Sequence, residues 1–153
     1  MEGIISSSPE ETQKIAIKIV EFLKKNNGER GTSTIVALQG NLGAGKTVFV
    51  KGVAEYLGVK ETVTSPTYVI EKIYTLPEDS HWKQLVHIDA YRLEGEKELS
   101  ALGWSSLATD PNNLIMLEWP EQVGLGVPER ALWLLFEVVD ENTRKIKLPK
   151  GVL

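Results

Sequence analysis

The chain has 153 residues, of which 42% are hydrophobic and 25% charged, and its formal net charge is −4. That length supports one ordinary domain with a real core, spanning 1–153, and the modest acidity argues against a protein that grips nucleic acid by itself through a broad basic surface. Cysteine is absent, which removes disulfides, thiolate metal sites and cysteine nucleophiles, and two histidines, His81 and His87, are too few for a histidine-rich metal cluster.

In chain order, the start Met1-Glu2-Gly3 lacks a basic stretch followed by an apolar run, so no secretory signal is expected. Ser8 reads as an N-cap, with Pro9 at the first helical position and Glu11 completing a capping box. Ile15, Ile19, Phe22 and Leu23 then recur at helical spacing until Asn26-Asn27-Gly28 stops the pattern. "TIVALQ" predicts a strand buried on both faces, and Lys46 to Leu57 a helix after a glycine loop. "TYVIEKIYTL" alternates as a strand, "PEDSHWK" is a turn-rich loop, and "QLVHID" and "NLIMLE" are two further apolar runs that each end on an acid. Between those runs "EGEKELSALG" has helical composition, with Gly103 as its stop. "ALWLLFEVVD" and "TRKIKLP" form a closing hairpin in which Lys145 and Lys147 alternate with apolar residues, as near a sheet edge. The longest apolar run, Ala131 to Val139, is about half a membrane span and holds Glu137, so a soluble, cytoplasmic protein with no membrane partner is expected.

Gly40-Asn41-Leu42-Gly43-Ala44-Gly45-Lys46-Thr47 satisfies the G-x-x-x-x-G-K-[ST] pattern. Its backbone N–H groups converge on phosphate oxygens, Lys46 reaches the β and γ phosphates, and the Thr47 hydroxyl ligates Mg²⁺. Because the loop follows a strand and opens a helix, the positive helix end adds to the attraction for anions. Ligands of open α/β sheets sit beyond the carboxyl ends of the strands, where parallel neighbours would bring Asp89 and Glu118 together. Glu118 is the candidate metal-side acid, directly or through water, against an acid that merely ends a strand before Pro120. Asp89 is the candidate for positioning or activating water, against a turn-forming aspartate.

Thr67 in "TSPTY" could sense the γ-phosphate or Mg²⁺ as a switch residue does, or simply belong to a Ser/Thr-rich turn. Arg92 is a phosphate or partner contact or an exposed ion-pairing arginine, and Trp119 lines the nucleotide site or packs. His87, two residues before Asp89, shares its strand face and reads as a satisfied core histidine. The tail "TRKIKLPKGVL" reads as solvated edge-strand lysines, with contact to RNA or a partner as the alternative. No N-K-x-D pattern and no D-x-x-G after the first strands is present, which favours ATP over GTP. A small-molecule P-loop kinase is the alternative, weakened by four arginines and little spare length for an acceptor-binding insert.

Together with the loop, Ser65-Pro66-Thr67-Tyr68, His87-Ile88-Asp89-Ala90-Tyr91-Arg92 and Leu117-Glu118-Trp119-Pro120 resemble the TsaE family in order and spacing over nearly the whole chain. Asn41 stands where aspartate is common in that family and Ala90 where leucine is common. The resemblance implies an α/β, three-layer P-loop NTPase-like fold with a mixed, largely parallel sheet and a C-terminal hairpin. It further implies an ATPase using ATP and Mg²⁺, weak alone and stimulated by its partners TsaD and TsaB, that assists threonylcarbamoylation of the adenosine beside the anticodon of tRNA. The tRNA is reached mainly through those partners. It also implies that Asp89 and Glu118 belong to the active centre, that Ser65 to Tyr68 behaves as a switch loop, and that Thr12 lies beside the nucleotide base.

Overall fold

Short continuous apolar runs form the centre of a single seven-stranded sheet covered on both faces. The computed structural model describes residues 1–26, 31–63 and 70–153. In chain order the elements are β1 (Glu2–Ser6), α1 (Pro9–Lys25), β2 (Thr34–Gly40), α2 (Lys46–Tyr56), β3 (Glu71–Thr75), β4 (Gln84–Asp89), α3 (Glu96–Ala101), α4 (Trp104–Ala108), β5 (Asn113–Glu118), β6 (Leu132–Val138) and β7 (Arg144–Leu148). The spatial order is β1-β7-β6-β2-β5-β4-β3. Its centre, β6-β2-β5-β4, is parallel, and the flanking pairs β1-β7, β7-β6 and β4-β3 are antiparallel. This is the expected mixed three-layer fold with its closing hairpin.

The two faces separate by residue parity. Val36 and Leu38 of β2, Leu85 of β4 and Leu114 and Met116 of β5 join Ile15, Ile19, Phe49, Val50 and Val53 of α1 and α2 in one apolar cluster. Ile35, Ala37, Val86, Ile88, Ile115 and Leu117 join Leu99 and Trp104 of α3 and α4 in the other. Each fully buried aliphatic or aromatic side chain contributes roughly 1.5–3 kcal/mol, whereas a partly exposed surface ion pair such as Lys147–Glu137, at 2.8 Å, contributes about 0–1. Packing under α1 and α2, not surface charge, therefore holds the glycine loop in place.

Helix α1 begins as the sequence requires: Ser8 caps it, its Oγ accepting from the Glu11 N–H at 3.1 Å, and Pro9 follows. The Glu11 carboxylate reaches one residue further back than a capping box does, accepting from the Ser7 N–H at 2.6 Å. Helices α1 and α2 approach so closely at Gly52 that a Cβ there would stand 2.9 Å from the Gln13 Cα.

Two expectations change. Strand β7 is not at an edge, because β1, which the sequence reading leaves unassigned, pairs along it from Glu2↔Leu148 to Ser6↔Arg144. Lys145 and Lys147 are accordingly only partly exposed, and the Lys145 stem lies over Gly3. A second short helix, α4, also follows Gly103, which is its N-cap at φ 77° as well as the end of the preceding turn. Of the expected strand "TYVIEKIYTL", Glu71–Thr75 forms β3, while residues up to 69 lie outside the described ones.

Candidate functional site

The parallel centre of the sheet places the acids where the topology predicts. Asp89 and Glu118 are register partners at the carboxyl ends of β4 and β5, and Leu38, near the end of β2, is in register with Glu118 on the other side. Parity puts Asp89 and Glu118 on the α2 side, with Leu85, His87, Leu114 and Met116. Both acids are buried, at 7% and 3% exposure. A cavity of about 550 Å³ opens against them, within the size range of small-molecule sites. Leu42, Gly43, Gly45, Lys46 and Thr47 line it, as do Asp89, Glu118, Trp119 and Thr12.

Gly45 caps α2 in the left-handed region at φ 103°, with no side chain in the way, so the first-turn N–H groups of a three-turn helix open toward the cavity. Gly40 and Asn41 line a neighbouring cavity of about 470 Å³ instead, and Ala44 is packed in the core. Among the expected loop residues, Leu42, Gly43, Gly45, Lys46 and Thr47 therefore wall the larger cavity. Thr12 forms part of the floor, its hydroxyl 2.7 Å from the Ser6 hydroxyl. Thr67 lies outside the described residues. Arg92 is exposed and does not line this cavity.

Lys46 is only 4% exposed; its Nζ donates to the Gly40 carbonyl and sits 3.8 Å from the centroid of the Trp119 ring. Burial pushes its pKa below the ordinary lysine value, and the nearby Glu118, Glu121 and Asp89 charges oppose that shift. Trp119 has φ 58°, which a bulky residue adopts at a cost of roughly 1–3 kcal/mol, and Tyr91 tilts against its ring at 4.9 Å. The strained turn after β5 thus presents an aromatic face to the lysine. Burial also raises the Asp89 carboxyl above its ordinary value, with the Glu118 charge adding to the rise. The Tyr91 N–H, donating to Asp89 Oδ1 at 3.0 Å, and the His87 and Lys46 charges pull it back.

His87 is fully buried, and its Nε2 lies 2.5 Å from Glu118 Oε2. The sequence reading of a satisfied core histidine holds for that nitrogen, whereas Nδ1 has no partner among the described residues.

The far wall was not foreseen. Ser6, Ser7, Ser8 and Pro9 line the cavity from one side, and Glu141, Asn142 and Arg144 from the hairpin. Arg144 ties that hairpin to the glycine loop: its Nε donates to the Gly43 carbonyl at 3.0 Å, and one terminal nitrogen donates to the Asp140 carbonyl at 2.8 Å. An arginine alone among lysines in a basic tail was the available signal.

The residues fit a Mg-nucleotide. Mg²⁺ takes few protein ligands alongside phosphate and water, and a hydroxyl at the start of α2 with a carboxylate at the end of β5 supplies that kind of donor set. No group of three histidine or acidic side chains capable of holding a metal by itself occurs among the described residues. No helix among them is long and apolar enough to cross a membrane.

A strand, a glycine loop and a helix, faced by acids on two adjacent parallel strands, define an α/β protein with a P-loop NTPase-like fold. A family model described as "Threonylcarbamoyl adenosine biosynthesis protein TsaE" matches residues 6–146, and the chain belongs to the TsaE family. It is 34% identical over 142 residues to the tRNA threonylcarbamoyladenosine biosynthesis protein TsaE of Bacillus subtilis, covering 91% of this chain and 79% of that one. With the Aquifex aeolicus protein of the same description identity is 33% over 150 residues, covering 97% and 96%. The crystal structure of Bacillus subtilis YdiB superposes with a TM-score of 0.70 at 28% identity, covering 95% of this chain and 82% of that one.

Proposed function

We propose that the chain is a Mg²⁺-dependent ATPase that assists TsaD and TsaB in threonylcarbamoylation of the adenosine beside the anticodon of tRNA. The observation that carries the reading is the pairing of Asp89 with Glu118 across β4 and β5, on the cavity that Lys46 and Thr47 also line. Family membership supplies the pathway.

In this reading the α2 N-terminus and the loop amides bind the phosphates, Lys46 holds the β and γ phosphates, and Trp119 and Thr12 line the nucleotide site. The Thr47 hydroxyl and Glu118 hold Mg²⁺, which supplies charge neutralisation at the phosphates when bound. Asp89 accepts a hydrogen bond from the attacking water and orients it; burial, by raising its pKa, makes it a stronger base than an exposed carboxylate. Thr67 belongs to the switch segment that senses the γ-phosphate. The acidic chain leaves most RNA contact to its partners, and its place of action is the cytoplasm.

Two measurements test this. Phosphate release from ATP should be weak for the isolated protein and rise on adding TsaD and TsaB, with label from γ-³²P-ATP appearing as inorganic phosphate and not on a metabolite. Cells depleted of their own TsaE should regain threonylcarbamoyladenosine in tRNA when this chain is expressed. Failure of the complementation by a well-expressed protein would refute the pathway reading, and transfer of label to a metabolite would refute hydrolysis.

A further inference from the structure

The ATPase reading assigns no work to the one basic side chain buried on the same strand face as both acids. On the α2 side of the sheet, β4 presents Leu85, His87 and Asp89, and β5 presents Leu114, Met116 and Glu118. His87 is 0% exposed, and Leu85, Leu114 and Met116 around it are equally buried. An imidazole is a costly choice there: burial strips it of water, and its Nδ1 finds no partner among the described residues. An aliphatic side chain would fill the same layer without that cost.

What the imidazole does make is a hydrogen bond to Glu118. His87 is in register with Met116, one position of the same face before Glu118, so a side chain directed along the strand reaches the carboxylate. Nε2 and Oε2 are hydrogen-bonded at 2.5 Å, with both side chains almost wholly shielded from solvent, at 0% and 4% exposure. Only one carboxylate oxygen is engaged by His87, and Glu118 still lines the cavity. A glutamate has three side-chain torsions, and locking one oxygen fixes the direction in which the other points.

We propose that His87 is a positioning residue: it orients the Glu118 carboxylate so that its second oxygen serves the Mg-nucleotide. The inference rests on the reading of Glu118 as the metal-side acid. It follows the general behaviour of groups that hydrogen-bond to a metal ligand, whose removal typically costs 10–100-fold in metal affinity or activity.

The test uses the full-length protein and three substitutions, His87→Leu, His87→Gln and Glu118→Gln, with the first and last also combined. Binding of ATPγS by calorimetry, with and without Mg²⁺, gives a readout that needs no turnover. His87→Leu should reduce the Mg²⁺-dependent gain in ATPγS affinity about 10-fold or more, and leave metal-free binding within about twofold. In turnover it should lower kcat by a similar factor and raise the half-maximal Mg²⁺ concentration, with KM for Mg-ATP rising in step with the lost affinity. His87→Gln, whose amide can donate from near the Nε2 position, should restore most of both. Adding His87→Leu to Glu118→Gln should cost little more than Glu118→Gln alone.

An intact Mg²⁺-dependent gain in His87→Leu would overturn the proposal, as would equal losses in His87→Leu and His87→Gln with both proteins folded. Independent, multiplying losses in the double variant would also overturn it. If His87→Leu does not fold, the comparison of His87→Gln with wild type decides: a 10-fold loss of the Mg²⁺-dependent gain refutes the proposal and near-wild-type behaviour supports it. A wild-type protein that binds Mg-ATPγS but releases no phosphate refutes the ATPase reading and leaves the binding comparison fully decisive for His87.

Discussion

Replacing Lys46 with alanine removes a buried cation from the cavity wall at the start of α2. In the proposed nucleotide complex its ammonium would make charge-assisted hydrogen bonds worth about 1.5–3 kcal/mol, so affinity for ATP should fall about 10- to 150-fold. Loss of a preorganised donor at the transferring group should lower kcat by a further factor of roughly 10²–10³. The fold should survive. Desolvation already lowers the pKa of the 4%-exposed amine, so the native state holds it charged at a cost that alanine removes, against the lost contact of its ammonium with the Trp119 ring. These opposing contributions should leave the melting temperature within about 4 °C of wild type. Phosphate release at saturating Mg-ATP, with TsaD and TsaB present, measures kcat; calorimetric titration measures affinity; a thermal melt checks the fold. Turnover within twofold of wild type at saturating ATP would refute the role given to Lys46.

Asp89→Asn should separate stability from activity. Burial holds the Asp89 pKa above its ordinary value, so between the two values the folded chain keeps a proton that the unfolded chain has released. Stability therefore falls as pH rises through that interval, and at neutral pH the ionised carboxylate is a net cost. Asparagine keeps an acceptor for the Tyr91 N–H, so the variant should melt about 2–4 °C higher at pH 7, and the gain should shrink as pH falls toward 4. A difference in melting temperature that does not change with pH would contradict this, and hydrolysis should be lost throughout. Gly52→Ala tests the helix contact: overpacking against Gln13 costs about 1–3 kcal/mol and helix propensity returns about 1, a net cost of about 0–2 kcal/mol, so melting should drop by up to about 8 °C. A rise in melting temperature would mean that α1 and α2 are not so close there.

Much of the site is legible in sequence because its chemistry is carried by strand ends and one loop. "VHID" and "LIMLE" each announce an acid at the close of an apolar run, and the register Asp89↔Glu118 follows once both strands are parallel neighbours. The hidden part is non-local. Strand β1 is five residues long, carries Gly3, and gains its partner from residues far along the chain, so no local pattern marks it. With β1 unassigned, β7 reads as an edge and Arg144 as one more solvated cation, when it binds the Gly43 carbonyl. The His87–Glu118 hydrogen bond is hidden for the same reason: strand parity places both residues on one face, and only the inter-strand register brings their side chains together.

The pairing of β1 with β7 also bears on how the molecule assembles. Ser6 meets Arg144 across that pair, and both line the cavity. Contacts between segments so distant in sequence close late and slow folding, whereas α1 and the loop-α2 unit form from near neighbours. Full nucleotide affinity should then appear only at the end of refolding; a stopped-flow trace in which nucleotide binds before the β1-β7 contacts form would contradict this. Any ligand that binds only the finished cavity stabilises the whole chain by mass action, about 2.7 kcal/mol at a hundredfold excess over Kd. Under the proposed function, nucleotide supply would thereby determine how long each copy of the protein stays folded, as well as what it turns over.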